Sequence, residues 1–195
     1  MANKPKQAAR EIVEKLWRKN NNFEPANRVA VIFNANKRGA NWNGFLFEAL
    51  IHELLISAKI PSECIFQNQG LALIPDTRYD FVLCHTDKKT LNQTPICLSL
   101  KTSLRERYKQ ADREGMIAKQ VHRGSVTALL TMDTEQVTRI RHYLYGLDYI
   151  VDCNDASELS DFIGKIKTYK HIPYSEIVAI GPLVSKLPKK SKTAS

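Results

Sequence analysis

The stretch that decides the reading of this chain is Pro95-Ile-Cys-Leu-Ser-Leu-Lys-Thr-Ser-Leu-Arg-Glu-Arg-Tyr-Lys-Gln-Ala-Asp-Arg-Glu-Gly115. Ile96 to Leu100 is a short apolar run, the pattern of a strand buried on both faces. The run delivers a lysine, Lys101. Thr102 and Ser103 follow, either of them a suitable N-cap for a helix. The segment after them is almost wholly polar or charged. The expected local order is buried strand, helix start and basic helix. An ammonium group at the end of a buried strand is costly unless carboxylates or a phosphate meet it. The upstream run Arg78-Tyr-Asp-Phe-Val-Leu-Cys84 sets an aspartate, Asp80, in the same kind of apolar setting.

Working outward, residues Lys6 to Lys19 read as a helix, with Ala9, Ile12, Val13, Leu16 and Trp17 at helical spacing. Arg28 to Phe33 is a short apolar run that suits a strand. Asn34 to Asn43 is a polar loop carrying Lys37 and Arg38, open to two readings: a solvated loop or a DNA-facing arm. Gly44 to Ala58 is a second helix, its buried stripe made by Phe47, Leu50, Ile51, Leu54 and Leu55. Glu48 lies off that stripe. Glu63–Gln67 and Tyr79–Cys84 are expected strands, separated by the turn signals Gly70 and Pro75-Asp76. His85 to Thr94 is a polar loop. Val126–Thr131 and Asp148–Val151 are further strands, and Thr134–Tyr145 and Ala156–Tyr169 further helices. Ile177–Pro182 is a last short strand or a packing arm. This order predicts an α/β (α+β) domain with one mixed sheet and helices on its faces.

The chain has 195 residues, which fits a single domain over residues 1–185. Lys186, Lys189, Lys190 and Lys192 mark 186–195 as a basic, disordered tail. The formal net charge of +9 favours a polyanionic partner, most often nucleic acid. Cys64, Cys84, Cys97 and Cys153 form no CxxC pair, so they read as reduced buried hydrophobes rather than zinc ligands. That usage suits a reducing, intracellular compartment. The most apolar run, Phe45–Ile56, is too short and too charged to span a membrane.

An aspartate and a lysine on neighbouring strands can serve metal-dependent phosphodiester cleavage. Carboxylates hold a hard cation, and a lysine beside it offsets phosphate charge and positions water. The pattern here is more specific than that. Asp80 followed by Ser99-Leu100-Lys101 resembles the PD-(D/E)xK nuclease motif, with Arg78-Tyr79 before the aspartate and a serine where the second acid usually stands. Gly44-Phe45-Leu46-Phe47-Glu48 resembles the leading-helix glutamate motif of the same superfamily. In one group of type II restriction endonucleases the second acid is displaced onto the following helix. Lys101-Thr-Ser-Leu-Arg-Glu-Arg-Tyr-Lys-Gln110 is similar to the run seen in that group, and Glu114, thirteen residues after Lys101, falls at the displaced position.

The resemblance covers Gly44 to Asp133. It implies a restriction-endonuclease-like mixed sheet and a Mg²⁺-dependent type II restriction endonuclease acting on double-stranded DNA at a short palindromic site. The implied ends are a 5′-phosphate and a 3′-hydroxyl. Catalysis would rest on Asp80, Lys101, Glu114 and Glu48, with Asp80 and Glu114 as metal ligands. Also implied are a homodimer, a companion DNA methyltransferase and the bacterial cytoplasm. Glu106 and Asp112 remain alternatives for the second acid. A helix starting at the Thr102-Ser103 cap would carry Glu114 roughly 16 Å along its axis, so the helix must fold back along the strand. DNA contacts are expected from Ser99, Thr102, Ser103, Arg105, Arg107, Tyr108, Lys109 and Arg113, and from Lys37 and Arg38. Two other readings stay open: a basic DNA-binding protein without catalysis, and a repair or junction nuclease on the same fold.

Overall fold

The computed structural model describes residues 4–71, 74–83, 95–121, 123–141 and 144–168. The chain order is α1 (Lys4–Lys19), α2 (Pro25–Asn36), α3 (Ala40–Ser57), a short 3₁₀ turn, β1 (Ile65–Leu71), β2 (Ile74–Leu83), β3 (Ile96–Lys101), α4 (Arg107–Val121), β4 (Val126–Thr131), α5 (Thr134–Ile140), β5 (Tyr149–Asp152) and α6 (Ala156–Thr168). The five strands form one mixed sheet in the order β1-β2-β3-β4-β5. β1, β2 and β3 are antiparallel neighbours; β3, β4 and β5 are parallel. The parallel part exists because α4 and α5 carry the chain back across the sheet between strands. The mixed α/β expectation is met.

The two faces of the sheet differ. Phe81, Leu83, Ile96, Leu98, Leu100, Val126, Ala128, Leu130 and Val151 point one way, into a continuous apolar cluster with α1, α2, α3 and α6. α3 is the centre of that cluster, with Leu46, Phe47, Leu50, Ile51 and Leu55 fully buried. The intervening strand residues face α4 and α5. There the apolar cluster is small, built on Leu104, Ala111, Leu129, Val137 and Ile140.

Two local expectations are corrected. Arg28–Phe33 is not a strand but the middle of α2. Pro25 sits in the first turn, where its missing N–H costs nothing. Ala26, Val29, Ile32 and Phe33 then recur at helical spacing and are buried. Thr102 and Ser103 do not cap α4, which begins at Arg107. The Leu104 N–H is taken instead by Asp133 Oδ2 at 2.8 Å, from the end of β4. That contact holds an irregular turn between strand and helix, and Leu104 is buried beneath it. The His85–Thr94 loop, Ile177–Pro182 and the 186–195 tail lie outside the described residues. Among the described residues, no helix is long and apolar enough to cross a membrane.

Candidate active site

The site forms where the β2–β3 ladder stops. Its recorded pairs are Leu83–Ile96, Val82–Cys97 and Phe81–Leu98. One residue beyond, a side chain replaces the backbone: Asp80 Oδ2 accepts the Leu100 N–H at 2.6 Å. The same oxygen lies 3.5 Å from Lys101 Nζ. Across β1, Asn68 stands opposite Asp80 with φ 54°, a left-handed conformation that asparagine tolerates better than most residues. The Leu100 and Lys101 contacts both use Asp80 Oδ2.

Glu114 arrives from α4. The helix packs along β3, β4 and β2. Because it starts at Arg107, Glu114 lies only about 10 Å along its axis, and the helix folds back over the strand. Ser99 Oγ donates to Glu114 Oε2 at 3.2 Å, and Gln110 Nε2 donates to Glu114 Oε1 at 2.7 Å. Ser99, at the usual place of the second acid, is buried and holds the displaced carboxylate rather than facing outward. Asp80 and Glu114 thus terminate on adjacent residues of β3, Leu100 and Ser99, with Lys101 next in line.

The backbone around Glu114 is pinned by features that sequence reasoning did not find. Tyr79 OH donates to the Glu114 carbonyl at 2.8 Å. Burial above all, then the nearby Cys97 and Glu114, pushes the Tyr79 phenol far above its usual range, so it stays a proton donor. Gly115 lies against Gly146 so closely that an added Cβ would meet the Gly146 carbonyl carbon at 2.8 Å. Asp112 Oδ1 accepts the Tyr145 and Gly146 N–H groups at 2.9 and 2.6 Å. Asp112 is therefore a structural acceptor. Glu106 is exposed at the start of the helix and pairs with Lys109 at 3.1 Å. Of the three candidate acids on this segment, only Glu114 reaches β3.

Glu48 is placed differently. It is half-buried on α3 and pairs with Lys6 Nζ of α1 at 2.7 Å. It makes no hydrogen bond or ion pair with Asp80, Lys101 or Glu114. Only a contact 42 residues away in sequence reveals its partner.

The basic side chains fall on the same end of the sheet. Arg105, Arg107, Lys109 and Arg113 are exposed on and before α4; Ser103 is exposed beside them, Thr102 half-buried. Tyr108 packs on the small apolar cluster. Lys37 and Arg38 follow α2, with Arg38 stacked 4.8 Å over Trp42. Asn34 of α2 donates to Asn154, just past β5, at 3.2 Å. Since β3, β4 and β5 are parallel, that places Lys37 and Arg38 at the edge to which Lys101 points.

Among the described residues, no group of three or more His, Cys, Asp and Glu side chains is gathered in the manner of a closed metal site. Two carboxylates suit Mg²⁺, which keeps several waters and takes its remaining ligands from phosphate. The donor set fits that ion and does not fit structural zinc.

No protein-family model matches the chain, and no curated protein matches it. Among solved structures it is similar to a restriction endonuclease PspGI–substrate DNA complex, at 16% identity over 92% of this chain and 81% of that one, with a TM-score of 0.46. It is also similar to metal-depleted Ecl18kI in complex with uncleaved DNA, at 21% identity over 79% of this chain, with a TM-score of 0.37. A third likeness, at 18% identity and a TM-score of 0.37, is to Ecl18kI with uncleaved, modified DNA. This chain spans 49% of the Ecl18kI chain in the uncleaved-DNA complex. These likenesses concern the fold.

Proposed function

We propose that this chain is a Mg²⁺-dependent endonuclease that cleaves double-stranded DNA at a specific short, palindromic site, as a type II restriction endonuclease does. The observation that carries the reading is the convergence on β3: Asp80 on the Leu100 N–H and beside Lys101, with Glu114 on Ser99. Asp80 and Glu114 would hold the ion. When bound, Mg²⁺ supplies neutralisation of the charge that builds on the phosphate oxygens and lowers the pKa of water.

The chain's own residues do the rest. Lys101, oriented by Asp80, directs ammonium hydrogens at the attacking water and at a non-bridging oxygen. The water oxygen bonds to phosphorus and releases a proton to solvent, the bond to the 3′ oxygen breaks, and that oxygen takes up a proton, so one water is consumed with no net proton change at the bond. The products are a 5′-phosphate and a 3′-hydroxyl. Ser99 and Gln110 hold Glu114 in place. Glu48, neutralised by Lys6, shapes the neighbouring surface. Arg105, Arg107, Lys109 and Arg113 grip phosphates beside the cleaved bond, and Lys37 and Arg38 extend the contact. A palindromic site implies a homodimer, because two-fold protein symmetry matches a two-fold duplex. A restriction enzyme also requires a companion DNA methyltransferase to protect its own genome, and places this one in a bacterial cytoplasm.

The test is incubation of the purified protein with plasmid and phage DNA and Mg²⁺, beside a Lys101→Ala variant and an EDTA control. Discrete fragments that vanish in both controls are the expected result. A metal-dependent smear would replace site-specific cleavage with repair or junction chemistry. Intact DNA, with a gel shift that persists in EDTA, would leave a non-catalytic binding protein.

A further inference from the structure

The sequence of α1 predicts an amphipathic packing helix, and the candidate active site does not use it. Its first two turns do more than pack. A cavity of ≈ 660 Å³ opens beside them. Lys4, Lys6, Arg10, Gln67 and Asn68 line it.

The position of this cavity follows from the contacts around it. Lys6 pairs with Glu48, and Trp17 donates to Ser57, so α1 and α3 run parallel. One helical turn after Lys6, Arg10 donates to Gln67 Oε1 of β1. One turn after Glu48, His52 stacks on Phe81 of β2, with ring centroids 6.5 Å apart. Gln67 and Phe81 are ladder partners. Arg10, His52, Gln67 and Phe81 therefore form one layer. Lys6 and Glu48 form the next, and the shared lining of Lys6 and Asn68 shows its direction: towards Asn68, the residue opposite Asp80. Neighbouring strands lie about 4.8 Å apart, so the cavity wall stands one strand away from the candidate site.

The lining is made chiefly of donors. Lys4 and Arg10 are exposed cations, six residues apart on the same helix. Gln67 Nε2 is buried with no hydrogen-bond partner among the described residues. The charge of Lys6 is balanced by Glu48. Among the described residues of the lining the carboxylate is Glu11, which accepts a hydrogen bond from Gln7 at 2.9 Å. Net positive charge, surplus N–H donors and an open mouth match a phosphodiester, which offers only acceptors.

We propose that this cavity is a second phosphate site for the DNA backbone, in which Lys4 and Arg10 hold a phosphate of the same duplex that Asp80 and Lys101 face. The proposal rests on the nuclease reading and adds α1 to the DNA-binding surface. The reading gives α1 no contact with DNA; the proposal makes it a clamp on the far side of Asp80 from the basic helix α4.

The experiment measures binding of a mixed-sequence DNA duplex by the full chain in EDTA, over a series of salt concentrations. Lys4→Ala/Arg10→Ala is compared with Lys15→Ala/Lys19→Ala, which removes the same charge from exposed positions of the same helix outside the cavity. The expected result is about tenfold weaker binding for the first variant, with a salt slope shallower by about one to two, and near-wild-type values for the second. Equal weakening of both variants would reduce the effect to net charge and overturn the site. Unchanged binding of the first variant, with a wild type that binds and cleaves, would overturn the site and leave the nuclease reading standing. A wild type that does not bind duplex DNA would overturn both.

Discussion

The two faces of the sheet have been put to different uses. The strand residues under α1, α2, α3 and α6 form one continuous apolar cluster, with Gln67 of β1, bonded to Arg10, a polar exception. The opposite face carries the buried polar side chains Ser99, Thr127, Thr131 and Asp152, and it receives Glu114 from α4. Burial of apolar area stabilises the first face at roughly 25 cal/mol per Å². The second offers little such burial, and its helix is held by specific polar contacts and by the Gly115–Gly146 approach. The lesson is a division of labour: one face is stable enough to let the other tolerate a lysine and two carboxylates on neighbouring residues of β3. The contrast can be broken from either side.

The largest effect should come from Lys101. Lys101→Ala removes the group that would position water, and cleavage should fall by about 10³-fold. Its thermal unfolding should stay close to wild type, because the removed side chain contributes no core contact. The check is a single-turnover cleavage assay beside a melting curve. A large loss of stability together with activity would break the division between faces. Phe47→Ala, on the apolar face, should do the opposite. Phe47 is fully buried against Phe33, with ring centroids 5.9 Å apart. Its truncation should cost about 3–5 kcal/mol of stability in denaturant titration, with activity per folded molecule kept.

Glu114 and Asp112 allow the comparison to be made within a single helix. They lie two residues apart and are both acidic, yet one bonds to β3 and the other to the loop before β5. Glu114→Gln preserves size and should reduce cleavage by about 10²-fold or more, with little change in melting. Asp112→Ala strips the acceptor from two backbone N–H groups and should cost about 1–3 kcal/mol of stability, with cleavage nearly intact once folded. Exchanged outcomes would mean that the second acid has been misassigned.

Much of this arrangement was legible in the chain, and the failures have a common cause. The bounds of β3, Ile96–Lys101, follow from the apolar run and its abrupt end, because a strand buried on both faces takes few polar residues. The stripe of α3 follows from its spacing. The run Arg28–Phe33 misled because a short β-branched apolar stretch satisfies both periods, and Pro25 with Ala26 decides the matter only when the window is widened. The absence of a Thr102 or Ser103 cap, the use of Asp133 on Leu104, and the pairing of Lys6 with Glu48 all depend on residues distant in sequence. No local pattern separates Glu106, Asp112 and Glu114; resemblance singled out the last, and its contact with Ser99 supplies a geometric reason.

Tyr79 offers the smallest and sharpest test of how α4 is held. Tyr79→Phe removes one hydrogen bond to the Glu114 carbonyl and should cost about 1 kcal/mol at neutral pH. Burial first, with Cys97 and Glu114 adding to it, raises the folded phenol above its usual 10.0. Above that pH the unfolded chain gives up the phenolic proton while the folded chain keeps it, so the native state binds more protons and stability falls as pH rises. The contribution of Tyr79 is therefore complete below pH 10.0 and is lost progressively above it. Other tyrosines and lysines titrate in both proteins and cancel in the difference. Unfolding of wild type and variant at neutral pH and above pH 10.0 should show the gap narrowing. A gap constant across that range would mean that the Tyr79 hydroxyl is open to solvent, and that α4 is fastened by its other contacts, those of Asp112, Glu114 and Gly115 among them.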